Sequence, residues 1–221
     1  MRHEVTSGAY PLLRIFLAAG ESLESEVRAL VSIVGPVEIK SVPLNPRKKN
    51  LKSAIAGKKD LVTNRFTASG EAEITFTAGL AGELLTLHVA PEARLLASPG
   101  AYVASGAGVT LDIELWKLGR AYWLPLLRFD GEGALFLGAS GAVQTTNLAA
   151  SETITVDTVH LLACDDGLGF QDVSEPGLMP ALTGQDLIEL TGPGRVFLQS
   201  LPRTVRSSPL ANAVNAIRNL L

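Results

Sequence analysis

The sequence predicts an all-β chain. Three internally repeated β-sandwich or double-stranded β-helix-like units stand in a pseudo-threefold arrangement, followed by a short C-terminal helix. Three observations point there. Glycine-led strands open at Gly70, Gly131 and Gly192, each 61 residues after the one before, and a fixed period marks a repeated unit. Short runs such as Glu73–Thr77 and Thr153–Asp157 alternate with the period of two that suits a half-buried strand. Pro/Gly turn signals recur along the chain, while a helical period is clear only at its C-terminal end.

Taken in order, the apolar run Leu12–Ala19 is preceded by Pro11, interrupted by Arg14 and followed by Glu21 and Glu24. It fits neither a signal peptide nor the ~20 apolar residues of a membrane span. A glutamate then recurs once per unit, at Glu21, Glu92 and Glu152, each ahead of a hairpin-like run. The first such run has no Gly-led strand before it, and the Gly192 strand has no run after it. Each orphan can complete the other. One domain, 1–221, is therefore expected to hold units 70–130 and 131–191 and a split unit, 192–204 plus 11–69, with both chain ends in one sheet. Ser98-Pro99-Gly100, Asp165-Asp166-Gly167 and Gly192-Pro193-Gly194 read as turns, with proline presetting φ and glycine permitting positive φ. Leu51–Ala56 and Gly177–Leu182 read as single helical turns. In segment 208–221, Ser208 caps, Pro209 takes the first helical position, and Leu210, Val214, Ile217 and Leu221 form one apolar stripe.

Composition narrows the function classes. Apolar residues are 47% and charged residues 19%, which excludes a disordered chain and suggests a second buried surface, hence a homo-oligomer. A net charge of −3 gives no global pull toward nucleic acid or anionic membrane. The single cysteine, Cys164, excludes an internal disulfide and a thiolate cluster. Together these features lead to an expected cytoplasmic location with no transmembrane segment.

Candidate chemistry is sparse. The basic run Arg47, Lys48, Lys49, Lys52, Lys58 and Lys59 is a candidate anion-binding patch for phosphate backbone or acidic lipid. It lacks aromatic residues for base stacking, and a solvated loop is the preferred reading. His3, His88 and His160 stand singly, without the three or four convergent ligands a zinc ion needs, and are read as structural. Gly138–Ala142 lacks the final glycine and the following helix of a nucleophile elbow. Gly131-Glu132-Gly133 lacks the third glycine of a dinucleotide loop. Cys164 precedes two aspartates that oppose thiolate formation. Glu21, Glu92 and Glu152 could converge on an axis and hold a cation, but hydrogen bonding to turn N–H groups is preferred. No catalytic residue, cofactor or metal is expected.

The segment LKSAIAGKKDLVTNRFTASGEAEITFTAGLAGELLTLHV, then FDGEGALFLGASG, ITVDTVHLLACDDGLGF and LTGPGRVFLQSLP, resemble blocks of the AIM24 family in the right order. The resemblance covers roughly residues 12–204. It implies a fold similar to that of the tryptophan RNA-binding attenuation protein, with three sandwich units per chain. The family has no established catalytic residues, so no site is carried over, and fold alone is a weak guide to function. The expected role is a non-enzymatic oligomeric scaffold or binding module. The alternatives are a nucleic-acid or anionic-lipid binder acting through 47–59, and a small-molecule-binding protein or enzyme with its site at a unit interface.

Overall fold

In a computed structural model of the chain, residues 1–44, 62–118, 122–173 and 186–202 are described. They form nineteen strands and two 3-10 turns arranged as four sheets, with no α-helix among them. The predicted C-terminal helix 208–221 and both predicted helical turns lie outside the described residues.

The first sheet has the order β1-β2-β7-β4, with β1 Arg2–Val5, β2 Leu12–Leu17, β7 Ala72–Thr77 and β4 Leu30–Val34. The second runs β5-β6-β3-β10-β13-β8, comprising β5 Val37–Pro43, β6 Val62–Ala68, β3 Ser22–Glu26, β10 Tyr102–Gly106, β13 Gly133–Gly138 and β8 Leu84–Val89. The third is β11-β12-β9-β16-β19-β14, from β11 Val109–Leu118, β12 Tyr122–Gly131, β9 Leu95–Ala97, β16 Leu161–Asp165, β19 Gly194–Gln199 and β14 Val143–Leu148. The fourth holds β15 Thr153–Asp157, β18 Leu187–Thr191 and β17 Gly169–Asp172 in the order β15-β18-β17. All strand pairs are antiparallel.

Three apolar cores lie between consecutive sheets. Leu13, Ile15, Ile74 and Phe76 from the first sheet meet Leu23, Phe66 and Phe136 from the second. Leu135 and Leu137 of the second meet Leu95, Leu127, Phe129 and Phe197 of the third. Leu96, Cys164 and Val196 of the third meet Val156, Ile188 and Leu190 of the fourth. The two six-stranded sheets therefore bury side chains on both faces, which is why the chain carries so much apolar residue for its length.

Each Gly-led strand has the same two kinds of partner. β7 pairs with β2 and β4, β13 with β8 and β10, and β19 with β14 and β16. The pairs with β4, β10 and β16 each carry one register shift, at Leu30/Ser32, Tyr102/Ala104 and Leu161/Ala163. With both edges of β19 taken by β14 and β16, it sits in the third sheet, while β2 is in the first. Among the described residues, the first and last strands do not share a sheet, contrary to the expectation for the chain ends.

The turn signals behave as their chemistry requires. Ser98-Pro99-Gly100 opens the 3-10 turn Pro99–Ala101 with proline at its start. Gly192-Pro193-Gly194 joins β18 to β19, and Gly194 has φ +151, a conformation side chains disfavour. The longest hairpin among the described residues, β11·β12, is paired from Val109↔Gly131 to Leu118↔Tyr122. Pro125 is tolerated within β12 because β9 covers only Leu127–Phe129 of that strand's other edge.

Candidate functional site

The outward face of the first sheet gathers a row of polar, charged and aromatic side chains. Strand register sets Arg2 opposite Phe16, Phe16 opposite Glu73, and Glu73 opposite Val34, so one row crosses all four strands. The next row on the same face runs Glu4, Arg14, Thr75 and Ser32. Residues two apart on a strand share a face, which brings the two rows into contact. The Arg2 guanidinium lies 3.8 Å from the centre of the Phe16 ring and that of Arg14 5.3 Å from it, within cation–π range. Arg14 Nε donates to Glu73 at 2.8 Å, and Arg2 Nη1 donates to Glu4 at 2.7 Å. The hydrogen bond from Arg14 holds the Glu73 carboxyl below the usual carboxylate range.

Beside these rows is an open cleft of about 620 Å³, lined by Phe16, Ala18, Glu21, Val34, Glu71 and Glu73 among others. The Glu21 carboxylate accepts from the Met1 ammonium at 2.6 Å and from the Ala18 N–H at 2.8 Å. Those two bonds, the first the larger, lower its pKa. The described residues lining the cleft include no hydroxyl, thiol or imidazole. On this face an aromatic ring is flanked by two guanidinium groups and edged with carboxylates.

The residues singled out from the sequence are not brought together. Glu152 repeats the Glu21 contact, accepting from the Ala149 N–H three residues earlier at 2.8 Å, while Glu92 is exposed beside the Ala90–Ala93 turn. Among the described residues no three His, Cys, Asp or Glu are close enough to hold a metal ion. Gly131 and Gly192 stand where a side chain would strike the carbonyl oxygens of Gly108 and Ala149, whereas Gly70 has only Pro36 near it. His160 Nδ1 is 2.8 Å from the Gln199 carbonyl oxygen, and His3 packs edge-on against Phe136 with ring centres 4.9 Å apart. His88 differs from expectation: it is exposed, because it lies on the solvent side of β8 while Leu85 and Leu87 pack inward. Cys164 is fully buried, and burial first, then the charges of Asp165 and Asp166, drive its thiol pKa far upward. Asp165 is itself clamped by Arg195, with Nη2 at 2.8 Å and Nε at 3.1 Å. Gly138–Ala142 and Gly131–Gly133 each connect strand to strand. Arg47, Lys48, Lys49, Lys52, Lys58 and Lys59 lie outside the described residues.

The family described as Mitochondrial biogenesis AIM24 matches residues 3–201. The chain belongs to the AIM24 family. No curated protein sequence matches it. Among solved structures, the crystal structure of protein SPYM3_0169 from Streptococcus pyogenes superposes with a TM-score of 0.75 at 21% identity, covering 91% of this chain and 94% of that one. The likeness shows that this AIM24 protein shares its all-β fold with the streptococcal protein. No helix among the described residues is long and apolar enough to cross a membrane.

Sequence reasoning missed the outward-face rows. Arg2, Phe16, Val34 and Glu73 come from four strands and meet only through register, which a single sequence does not reveal.

Proposed function

We propose that this AIM24 protein is a non-enzymatic, self-associating scaffold or binding module, built from three sandwich-like units in a pseudo-threefold arrangement. One observation carries the proposal: each Gly-led strand is hydrogen-bonded to strands of the preceding segment. Neighbouring segments then share a continuous sheet, a scaffold suited to positioning surface loops and faces for a partner. The reactive groups are committed elsewhere, Cys164 to a core and Glu21 and Glu152 to turns. A cytoplasmic location is part of the same proposal, and cell fractionation tests it.

The deciding experiment is native mass spectrometry on protein purified without added ligand, with its 260/280 nm absorbance ratio. The expected result is a homo-oligomer at a multiple of the sequence mass with no nucleic-acid absorbance. A monomer at micromolar concentration removes the oligomeric part. A raised absorbance ratio points instead to a nucleic-acid binder. The cleft beside Phe16 favours a second reading, a small-molecule site. A small retained mass that disappears in Phe16→Ala supports it, and retention in that variant dismisses this cleft.

A further inference from the structure

We propose that β4 and β15 are the two halves of one interface between copies of this chain, β4 of one copy pairing antiparallel with β15 of the next. The inference rests on the self-associating reading above and names its surface. The strands that correspond to β4 are interior strands. β10 is bound by β13 on one side and β3 on the other, and β16 by β19 and β9. β4 has the matching neighbour, β7, and the matching register shift at Leu30/Ser32. Its other edge carries no strand among the described residues. β15 is the reciprocal case: it pairs with β18 as β3 pairs with β6 and β9 with β12, and its second edge carries no strand among the described residues.

The chain thus makes the same junction twice internally and carries both halves of a third. The step from the first segment to the second uses the same pairings as the step from the second to the third. Had a third identical step returned to the chain's own first segment, β15 would lie hydrogen-bonded to β4. It does not, so the place beside β15 fits the first segment of another copy. The junction is head-to-tail, giving a ring or a filament according to the rotation between copies.

The side chains agree. β10 is buried from Tyr102 to Ser105 and β16 from Leu161 to Cys164, yet Val31 and Val34 of β4 are 51% and 67% exposed. The first internal junction pairs Ala104 with Ser25 and Gly106 with Leu23. Ser25 and Val156 each lie four residues after a turn glutamate, Glu21 or Glu152. Carried over, that register sets Ser32 opposite Val156, Ile33 opposite Thr155 and Val34 opposite Ile154. Val34 then borders Ile154, which packs on the third core. Leu30–Val34 also contains no charge and no proline, the usual protections of a solvent edge. The outer edge β5, by contrast, carries Glu38, Lys40 and Pro43.

The test uses full-length single-cysteine additions in two neighbouring pairs, Val34→Cys with Ile154→Cys and Ile33→Cys with Thr155→Cys. Adjacent pairs alternate between the wider and narrower spacings of an antiparallel ladder, so one of them suits a disulfide. The wild type, with only buried Cys164, is the control. The expected result is a disulfide-linked dimer on a non-reducing gel when the two variants of a pair are mixed and oxidised, absent from either variant alone. A double variant that instead loses both new thiols at monomer mass overturns the inference by showing closure within one chain. No link in either pair overturns it as well. In that event an oligomeric native mass leaves the scaffold proposal standing, whereas a monomeric mass removes both.

Discussion

Truncating Phe136 to alanine should be among the most damaging single changes to this fold. The ring is 1% exposed on β13 and packs in the core between the first two sheets, with His3 of β1 edge-on against it. Losing a buried phenylalanine side chain removes its transfer free energy and leaves a cavity, together about 3–5 kcal/mol. For a chain of this length each kcal/mol lowers the melting temperature by about 2–4 °C, so a fall of roughly 6–20 °C is expected. Guanidinium unfolding followed by tryptophan fluorescence gives the free energy, and calorimetry the melting temperature. A double-mutant cycle with His3→Ala isolates the ring pair, for which a coupling of about 0.5–1.5 kcal/mol is expected. A loss below about 1 kcal/mol for Phe136→Ala would refute the closure of the first sheet over this core. Strict additivity with His3→Ala would show that β1 does not dock there.

Four further outcomes are expected from the same geometry. Cys164 should resist thiol reagents in the folded protein and react only as the chain unfolds, because burial suppresses its thiolate; rapid labelling of native protein contradicts this. Cys164→Ser should cost about 1–3 kcal/mol in denaturant unfolding, since it sets a hydroxyl among Leu96, Leu161 and Val196. The folded-state pKa values of Glu73 and Glu21 are depressed. Their contribution is therefore present above the ordinary carboxylate value of 4.5 and lost as pH falls through the lower folded values. Unfolding midpoints should drop on acidification, and Arg14→Met should flatten the drop; an unchanged acid branch in that variant rules out the Arg14 contact as its cause. Gly82→Ala should destabilise by more than about 1 kcal/mol, because φ is +153 and the new methyl would strike the Ala139 carbonyl oxygen and the Gly141 N–H. Gly167→Ala, with open space around it, is the matched control and should be near neutral; equal effects contradict the loop packing.

Strands with one covered face were legible from the residues alone. Thr153–Asp157 alternates in sequence and forms β15 with those bounds, and Ser98-Pro99-Gly100 marks a turn through proline's fixed φ. The strands β11 and β12 were harder to delimit because apolar side chains on both their faces pack into cores. Leu111, Ile113 and Leu115 face the second core, while Trp116, Leu124 and Leu126 face the third, so the apolar run shows no period. β1 was missed outright. Arg2–Val5 has almost no apolar pattern, and its docking depends on β2 offering an edge. The candidate site was illegible for a related reason. Arg14 and Glu73 stand 59 residues apart and meet because β2 and β7 choose one register, a decision made by the inward row of Leu13, Ile15, Ile74 and Phe76.

The lending of each Gly-led strand to the segment before it has a consequence in time. During synthesis, β8 and β10 leave the ribosome before β13, the strand that joins them, and β14 and β16 likewise wait for β19 near the end of the described chain. The Gly-led strands recur every 61 residues, so at ~5–20 residues per second about 3–12 s separates one from the next. For that interval the newest segment is an unfinished sandwich with open strand edges. A ribosome stalled between Gly131 and Gly192 should therefore present a nascent chain more sensitive to protease and more chaperone-bound than one released after Gln199.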